Sequence, residues 1–383
     1  MSGHAKLSPS SAVRWMTCPG SVALSEGIED KSSSNADEGS MMHAIAAKCL
    51  ETGTDPIDYV GTTDKDTGLT LQVKQVADVQ FYVDHVRDIV KATNGELRIE
   101  QRLPIWWMTS EKDAHGTADA VIVTPNELII VDAKFGFKEV DAERNPQLLI
   151  YAAAAHDELK VAYDFERIRV VISQPRLLAK PEYTCTPDEL HDFVVSVIAA
   201  SQAVDIEPEK LVPSPKGCQW CRAKATCPAL REDVLADFDV VVPETADEDD
   251  LARVMANADM IENWVKAVRA EVERRLLAGT PVKGYKLVQG KRGNRMWESP
   301  EVAEATLKAM RIKHDMMYDY KLASPTSIEK LVKADEIGPR QWTKIQALIT
   351  QSAGQPSVAP ASDKRPALVT SVDASGFDDV TSL

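Results

Sequence analysis

The stretch from Gly116 to Gly136, GTADAVIVTPNELIIVDAKFG, constrains this chain most. GTADAVIV alternates and is β-branched, TPNE carries turn chemistry, and ELIIVDAK is a second apolar run with polar ends, which together predict a tight β-hairpin. With Pro125 and Asn126 in the middle of the turn, residues whose numbers sum to 251 face each other, and Asp119 and Asp132 are such a pair. Their Cβ atoms would then stand roughly 5 Å apart, a destabilising placement for like charges unless something positive lies between them. A divalent metal answers that need, because carboxylate oxygens are the donors Mg²⁺ prefers. Lys134 lies two residues beyond Asp132 and so on the same strand face. Two acids and a cation at a strand end can hold a metal, orient a water and stabilise charge on a phosphate. Taken alone, the same residues also read as a capped strand start and a solvated strand end.

The remaining periodicities predict a mixed α/β fold, with a central sheet flanked by helices. Length, 383 residues, allows two domains, and no apolar run is long enough to predict a transmembrane helix. The opening MSGHAKLSPSSAVRW lacks the apolar core of a signal peptide, so a cytoplasmic protein is expected. A net charge of −15 argues against a protein that coats nucleic acid nonspecifically, though not against a nuclease with local contacts.

In chain order, Ser8-Pro9 starts a short helix that Cys18 follows. Asp37 to Glu51 reads as a helix ending at Gly53, with His43 the metal-competent group of its interior and a core histidine the alternative. Leu71 to Thr93 is a long amphipathic helix closed by Asn94-Gly95. Glu96 to Leu103 alternates as a strand, and its Glu100 is either a further metal or water-orienting acid or half of an ion pair with Arg98 or Arg102. After the hairpin, Asn145-Pro146 caps a helix that sets Gln147 and Tyr151 four apart on one face, where they suit a phosphate or base or make an ordinary polar stripe. Ile168 to Ser173 is a buried strand, and Thr186 to Ala203 another helix.

Six cysteines in such a chain read as metal ligands or core residues before disulfides. Cys218, Cys221 and Cys227 follow a C-x₂-C-x₅-C spacing, a strong metal signal, and Cys18 is the best fourth ligand, since Cys49 and Cys185 lie within a helix and a strand. Four thiolates suit zinc or an iron–sulfur cluster. Such a site would staple the start of the core to its end.

The domain reading is a core at residues 1–235, an acidic linker at 236–250, a helical and hairpin accessory domain at 251–351 and a disordered tail at 352–383. Pro281 to Trp297 reads as a hairpin around Gly290-Lys291-Arg292-Gly293. Between Lys266 and Arg295 nine Lys or Arg face two Glu, with Tyr285 and Trp297 nearby for stacking.

In combination these pieces resemble the RecB-like exonucleases of the PD-(D/E)xK nuclease superfamily, over about residues 5–230. Gly39-x₃-His43 resembles the family's first motif, Gly116-Thr-Ala-Asp119 its G-x-x-D motif, Val131-Asp132-Ala133-Lys134 its (D/E)-x-K motif and Gln147-x₃-Tyr151 its Q-x-x-x-Y motif. Cys18 with Cys218, Cys221 and Cys227 resembles the one-plus-three arrangement that holds a [4Fe-4S] cluster in AddB. The whole chain also looks like an uncharacterised phage and prophage RecB-like family, through HAKLSPSSAVRWMTCPGS and Ser362-Asp363-Lys364-Arg365-Pro366.

The resemblance implies a restriction-endonuclease-like core and a DNA exonuclease dependent on Mg²⁺ or Mn²⁺, acting in phage recombination, repair or replication. His43, Asp119, Asp132 and the Ala133 carbonyl would bind the metal and Lys134 would serve the attacking water. Glu100 or Glu38 would be in reach of a second metal, and Gln147 and Tyr151 would help bind DNA. It further implies a [4Fe-4S] cluster, with structural Zn²⁺ as the alternative, and a phage single-strand annealing or binding protein as partner. No G-x₄-GK[ST] loop is present, so a helicase would be a separate chain. Two other readings fit the residues: a binding module that keeps the fold without cleaving, and a zinc-stapled structural protein in which Asp119→Ala relieves repulsion.

Overall fold

Five strands form one mixed sheet in the order β1-β2-β3-β4-β5: Glu96–Pro104, His115–Val123, Glu127–Ala133, Arg167–Ser173 and Glu182–Cys185. This arrangement comes from a computed structural model that describes residues 5–28, 34–240, 247–288, 300–311, 313, 317–318, 323–333 and 336–349. Two units divide the chain, Met1–Gln289 and Gly290–Leu383.

The hairpin of β2 and β3 has the register its sequence predicts: Ala120 faces Val131 and Val121 faces Ile130. Thr124 closes the turn. Its N–H donates to the Glu127 carbonyl at 3.0 Å, and its hydroxyl accepts the Glu127 N–H at 2.8 Å. β3 and β4 run parallel, which requires a crossover, and helix Pro146–Leu159 supplies it. All seven residues of β3 are buried, as a strand covered on both faces demands.

Alternate residues of the sheet feed two cores. Ala120, Ile122, Ile129, Val131 and Ala133 pack with Met42, Ile45, Val79 and Val83 of helices α2 (Ser34–Thr52) and α3 (Val73–Thr93). Val121, Val123, Leu128 and Ile130 pack instead with α1 (Ala12–Thr17), α4 (Pro146–Leu159) and α5 (Pro187–Ile206). The helix ends follow their local chemistry. Asn94 closes α3 in the left-handed region at φ 50°. The Asn145 side chain accepts the Gln147 and Leu148 N–H groups at the start of α4, and Thr186 with Glu189 forms a capping box on α5.

Helix α6 (Pro228–Val240) runs into the stretch expected as a linker. The reason is Asp237, which is buried and held by Arg253 at 3.1 Å and Asn257 at 2.8 Å, both on α7 (Glu248–Leu277). Met260 and Trp264 of α7 join a small core with Cys227, Leu230 and Val234. Among the described residues of the second unit are the short helices α8 (Pro300–Ala309), α9 (Pro325–Lys333) and α10 (Pro339–Gln346), in line with the helical pieces expected there. Residues 281–288 hold no strand, and the tip of the expected hairpin lies outside the described residues, as does the tail at 352–383. Among the described residues no helix is long and apolar enough to cross a membrane.

Candidate active site

The two helical layers meet at the carboxyl end of β3, and the residues singled out in the hairpin converge there. Asp119 comes from β2, Asp132 from β3 and Lys134 from the residue just past it, whose N–H extends the parallel ladder to the Ser173 carbonyl at 2.9 Å. His43 reaches in from α2, and Gln147 and Tyr151 from α4.

Each carboxylate has a basic side chain against it. His43 Nδ1 lies 3.3 Å from Asp119 Oδ2, and Lys134 Nζ lies 2.8 Å from Asp132 Oδ2. Asp119 Oδ2 also accepts the Ala133 N–H at 2.7 Å, which ties the middle of β2 to the end of β3. Asp132 is 3 % exposed, and its Oδ2 has the ion pair but no well-directed hydrogen bond.

The titration of these groups follows from that placement. Burial opposes the charge on His43, but the charge and hydrogen bond of Asp119, with Asp132 behind it, outweigh burial and raise its pKa. Burial likewise opposes ionisation of Asp119, and His43, the Ala133 N–H and Lys134 together hold it below the usual range. Asp132 is raised, by burial first and by the Asp119 charge, against the pull of Lys134. Lys134 is raised despite burial, because Asp132 and Asp119 keep it protonated.

Gln147 sits inside this cluster. Its Oε1 accepts from Lys134 Nζ at 3.0 Å and its Nε2 donates to Asp132 Oδ1 at 3.1 Å, so one amide fixes both members of the ion pair. The same Nε2 approaches the Tyr151 hydroxyl at 3.4 Å. Gly116 makes room for that tyrosine: a Cβ there would stand 2.7 Å from Tyr151 Cε1 and 2.9 Å from Pro9 Cγ. Gly39 has no such task, since a Cβ there would meet nothing within 4 Å.

Glu100 faces the same cluster from β1. The β1–β2 ladder skips this residue, which takes φ 47° in the left-handed region. Arg98 pairs with Glu96 and Arg102 contacts His115, so of the two readings of Glu100 the ion pair with Arg98 or Arg102 does not form. Glu100 keeps exposed surface, yet protein packed around its carboxyl, and then the Asp119 charge, raise its pKa to about 7. Glu38 is engaged elsewhere, by Arg176 at 2.9 Å and Gln75 at 2.6 Å.

Two residues of the site escaped the sequence reading. Tyr82 of α3 is 2 % exposed with an unpartnered hydroxyl, and burial and then the charges of Asp119, Asp132 and Glu100 raise it well above the usual tyrosine range. Phe135 lies edge-on to His43 at 5.1 Å and to Tyr82 at 6.4 Å, forming an apolar wall. A lone tyrosine in the aliphatic stripe of α3 was the available signal.

All four predicted cysteines line a second cavity, with Lys224 the charged residue among them. None of the four forms a disulfide. Each sulfur has a nearby polar partner: the Val212 N–H on Cys18 at 3.2 Å, the Ser214 N–H on Cys218 at 3.4 Å, the Leu230 N–H on Cys227 at 3.5 Å and the Ser25 hydroxyl beside Cys221 at 4.0 Å. Burial pushes the Cys218 thiol up to about 11, and the other three cysteines act in the same direction. Gly20 lets the start of the chain close on residues 208–211, its N–H donating to the Lys210 carbonyl at 2.9 Å. Thus residue 18 is brought to residue 218, as the spacing predicts. As the side chains stand, no three His, Cys, Asp or Glu among the described residues are gathered around one ion position, in either cavity.

A family model described as "Protein of unknown function (DUF2800)" matches residues 4–366. Two solved structures are similar. One is described as "Crystal structure of SSO0001", at 16 % identity and TM-score 0.22 over 38 % of this chain, which spans 65 % of that one. The other is an alkaline exonuclease from Laribacter hongkongensis, at 12 % identity and TM-score 0.24, over 52 % of this chain and 92 % of that one.

Proposed function

We propose that this chain, which belongs to the DUF2800 family, is a divalent-metal-dependent deoxyribonuclease built on a PD-(D/E)xK core. One observation carries the reading: Asp119 and Asp132 are brought together near the end of β3, each with a basic side chain against it, His43 at 3.3 Å and Lys134 at 2.8 Å. A structural role has no need to keep two repelling acids in contact.

The donor set fits the cation. Asp119, Asp132 and His43, with the Ala133 carbonyl beside them, would hold Mg²⁺ or Mn²⁺, and the poorly satisfied Oδ2 of Asp132 is an oxygen awaiting a better partner. When bound, the ion would lower the pKa of a water and offset charge on the phosphate. Hydrolysis forms a P–O bond from that water and breaks the ester P–O bond; the water loses a proton and the leaving oxygen gains one. Lys134 stays protonated beside Asp132, which suits it to orient the water and stabilise phosphate charge more than to act as a base. Gln147 fixes the Lys134 and Asp132 side chains in register. Glu100 is the remaining carboxylate facing the cluster and the one to accept the proton of water.

Exonuclease action on DNA, and a role in phage recombination, repair or replication beside a single-strand annealing or binding protein, follow from the motif resemblance. What supports a four-thiolate group is the chemistry of the donors: four free thiols that line one cavity, each with a polar neighbour, at the seam between the first and last segments of the core. A [4Fe-4S] cluster is the proposed occupant, with zinc the alternative, and its task is to hold that seam. The nuclease reading is tested by Mn²⁺-dependent cleavage of labelled DNA. Wild type cleaves and Asp132→Asn does not, while both remain folded; equal cleavage by the two removes Asp132 from the mechanism. The second reading, a binding module, is supported if folded wild type binds DNA and cleaves none.

A further inference from the structure

A cavity of about 560 Å³ opens past the carboxyl ends of the parallel strands β3 and β4, lined by residues of the segments that leave them. Ligands of open α/β sheets collect in such crevices. Its walls come from α2, the first turns of α3, and the segments that leave β3 and β4. Phe137, three residues past Lys134, is 74 % exposed, an unusual placement for a phenyl ring. The Arg176 guanidinium covers one face of it, 4.7 Å from the ring centroid.

Arg176 is not free to leave. Its Nη2 pairs with Glu38 at 2.9 Å and its Nε with Asp78 at 3.1 Å, and the side chain is 13 % exposed. Two acids on two helices therefore hold the guanidinium plane on the phenyl ring, while the rest of the ring stays open to solvent. Lys74 adds a cation at the wall and has no ion pair among the described residues, and Asn35 adds a neutral amide. Glu38 and Asp78 balance Arg176 and Lys74, so the cavity is neutral in sum. A neutral, wide, aromatic recess with two amides, Asn35 and Gln75, suits a nucleobase better than a phosphate, and Lys74 suits the phosphate beside that base.

We propose that this cavity is a nucleobase subsite, in which an unstacked base of single-stranded DNA stacks on Phe137, three residues along the chain from Lys134. The proposal deepens the nuclease reading and takes its substrate class, DNA, from it. A base can enter only when it is out of the duplex, so the enzyme engages a single strand or a frayed end. The pinned Arg176–Phe137 stack is preorganised, so binding does not have to order it.

The test uses the full chain without divalent metal and a single-stranded oligodeoxynucleotide carrying 2-aminopurine, moved stepwise from its end, whose fluorescence falls on stacking. Wild type, Phe137→Ala and Phe137→Trp are compared; Phe137 is exposed, so neither change threatens the core. Wild type quenches the probe at one position, Phe137→Ala loses the quench and binds about tenfold more weakly, and Phe137→Trp restores both. Binding by Phe137→Ala with unchanged affinity and quench overturns the proposal, as does wild type that binds without quenching at any position or does not bind. Cleavage with Mn²⁺, measured on the same proteins, separates the two ideas. Cleavage with no effect of Phe137→Ala removes the subsite and leaves the nuclease, whereas a Phe137-dependent quench without cleavage keeps the subsite and removes the nuclease.

Discussion

Replacing Asp119 by alanine destabilises this protein in the absence of metal, although two facing carboxylates repel. The Asp119 carboxylate accepts the buried Ala133 N–H at 2.7 Å and holds His43 at 3.3 Å, and its side chain is 16 % exposed. Alanine leaves that N–H without an acceptor, a loss of about 1–3 kcal/mol. Relief of repulsion toward Asp132 returns part of it, since the Asp119 charge is one of the causes that raise the Asp132 pKa. The net expectation is a loss of about 1–2 kcal/mol. Asparagine keeps an acceptor for Ala133 and loses about 1 kcal/mol or less on the same reasoning. Metal widens the difference. Mn²⁺ at 100 times its dissociation constant stabilises wild type by about 2.7 kcal/mol, and both variants forfeit most of that gain. Urea unfolding followed by circular dichroism, with and without Mn²⁺, gives all six values. The reasoning is refuted if Asp119→Ala without metal is as stable as wild type, or if Asp119→Asn keeps the full metal-linked gain.

His85 of α3 is 8 % exposed, and burial, with Lys180 adding to it, lowers its pKa from 6.5 to about 4. The unfolded chain takes up that proton first, so stability is complete above pH 6.5 and falls as pH drops toward 4, by about 3 kcal/mol over the window. Melting at pH 7 and pH 5 shows a smaller drop in His85→Leu than in wild type, and an equal drop assigns the acid sensitivity to other groups. Gly116→Ala forces a Cβ to within 2.7 Å of Tyr151 Cε1; a loss of about 1–3 kcal/mol in urea unfolding is expected, and an unchanged midpoint shows that the ring yields freely. Anaerobic purification gives visible absorption and bound iron in wild type and Cys49→Ala, and neither in Cys18→Ser or Cys221→Ser; zinc in place of iron selects the alternative occupant.

The hairpin was legible because turn chemistry and strand alternation fix a register together, and a one-residue slip would have turned Val121 and Ile130 out of their core. Helix ends were legible for a similar reason, since Asn94, Asn145 and Thr186 act on their own neighbours. The cysteine seam could be read because thiol spacing is rare in sequence. Contacts set by the third dimension stayed hidden. Gln147 faces the site as expected, but that its amide bridges Lys134 and Asp132 depends on how α4 crosses the sheet. Glu100 lies in a strand but has the backbone of a turn, so alternation could not choose between a site acid and an ion pair with Arg98 or Arg102. Tyr82 stands among the aliphatic core residues of α3, and nothing local marks Asp119 and Asp132 as near it. The acidity of residues 236–250 suggested a linker, whereas Asp237 is acid buried against Arg253.

Cleavage of end-labelled linear DNA and closed circular DNA with Mn²⁺ tests the central claim most directly, with wild type beside Lys134→Ala. The account predicts that wild type degrades the linear substrate and leaves the circle intact, and that folded Lys134→Ala degrades neither. Folded wild type supplied with metal that degrades no substrate, or Lys134→Ala that degrades the linear DNA as fast as wild type, would contradict it.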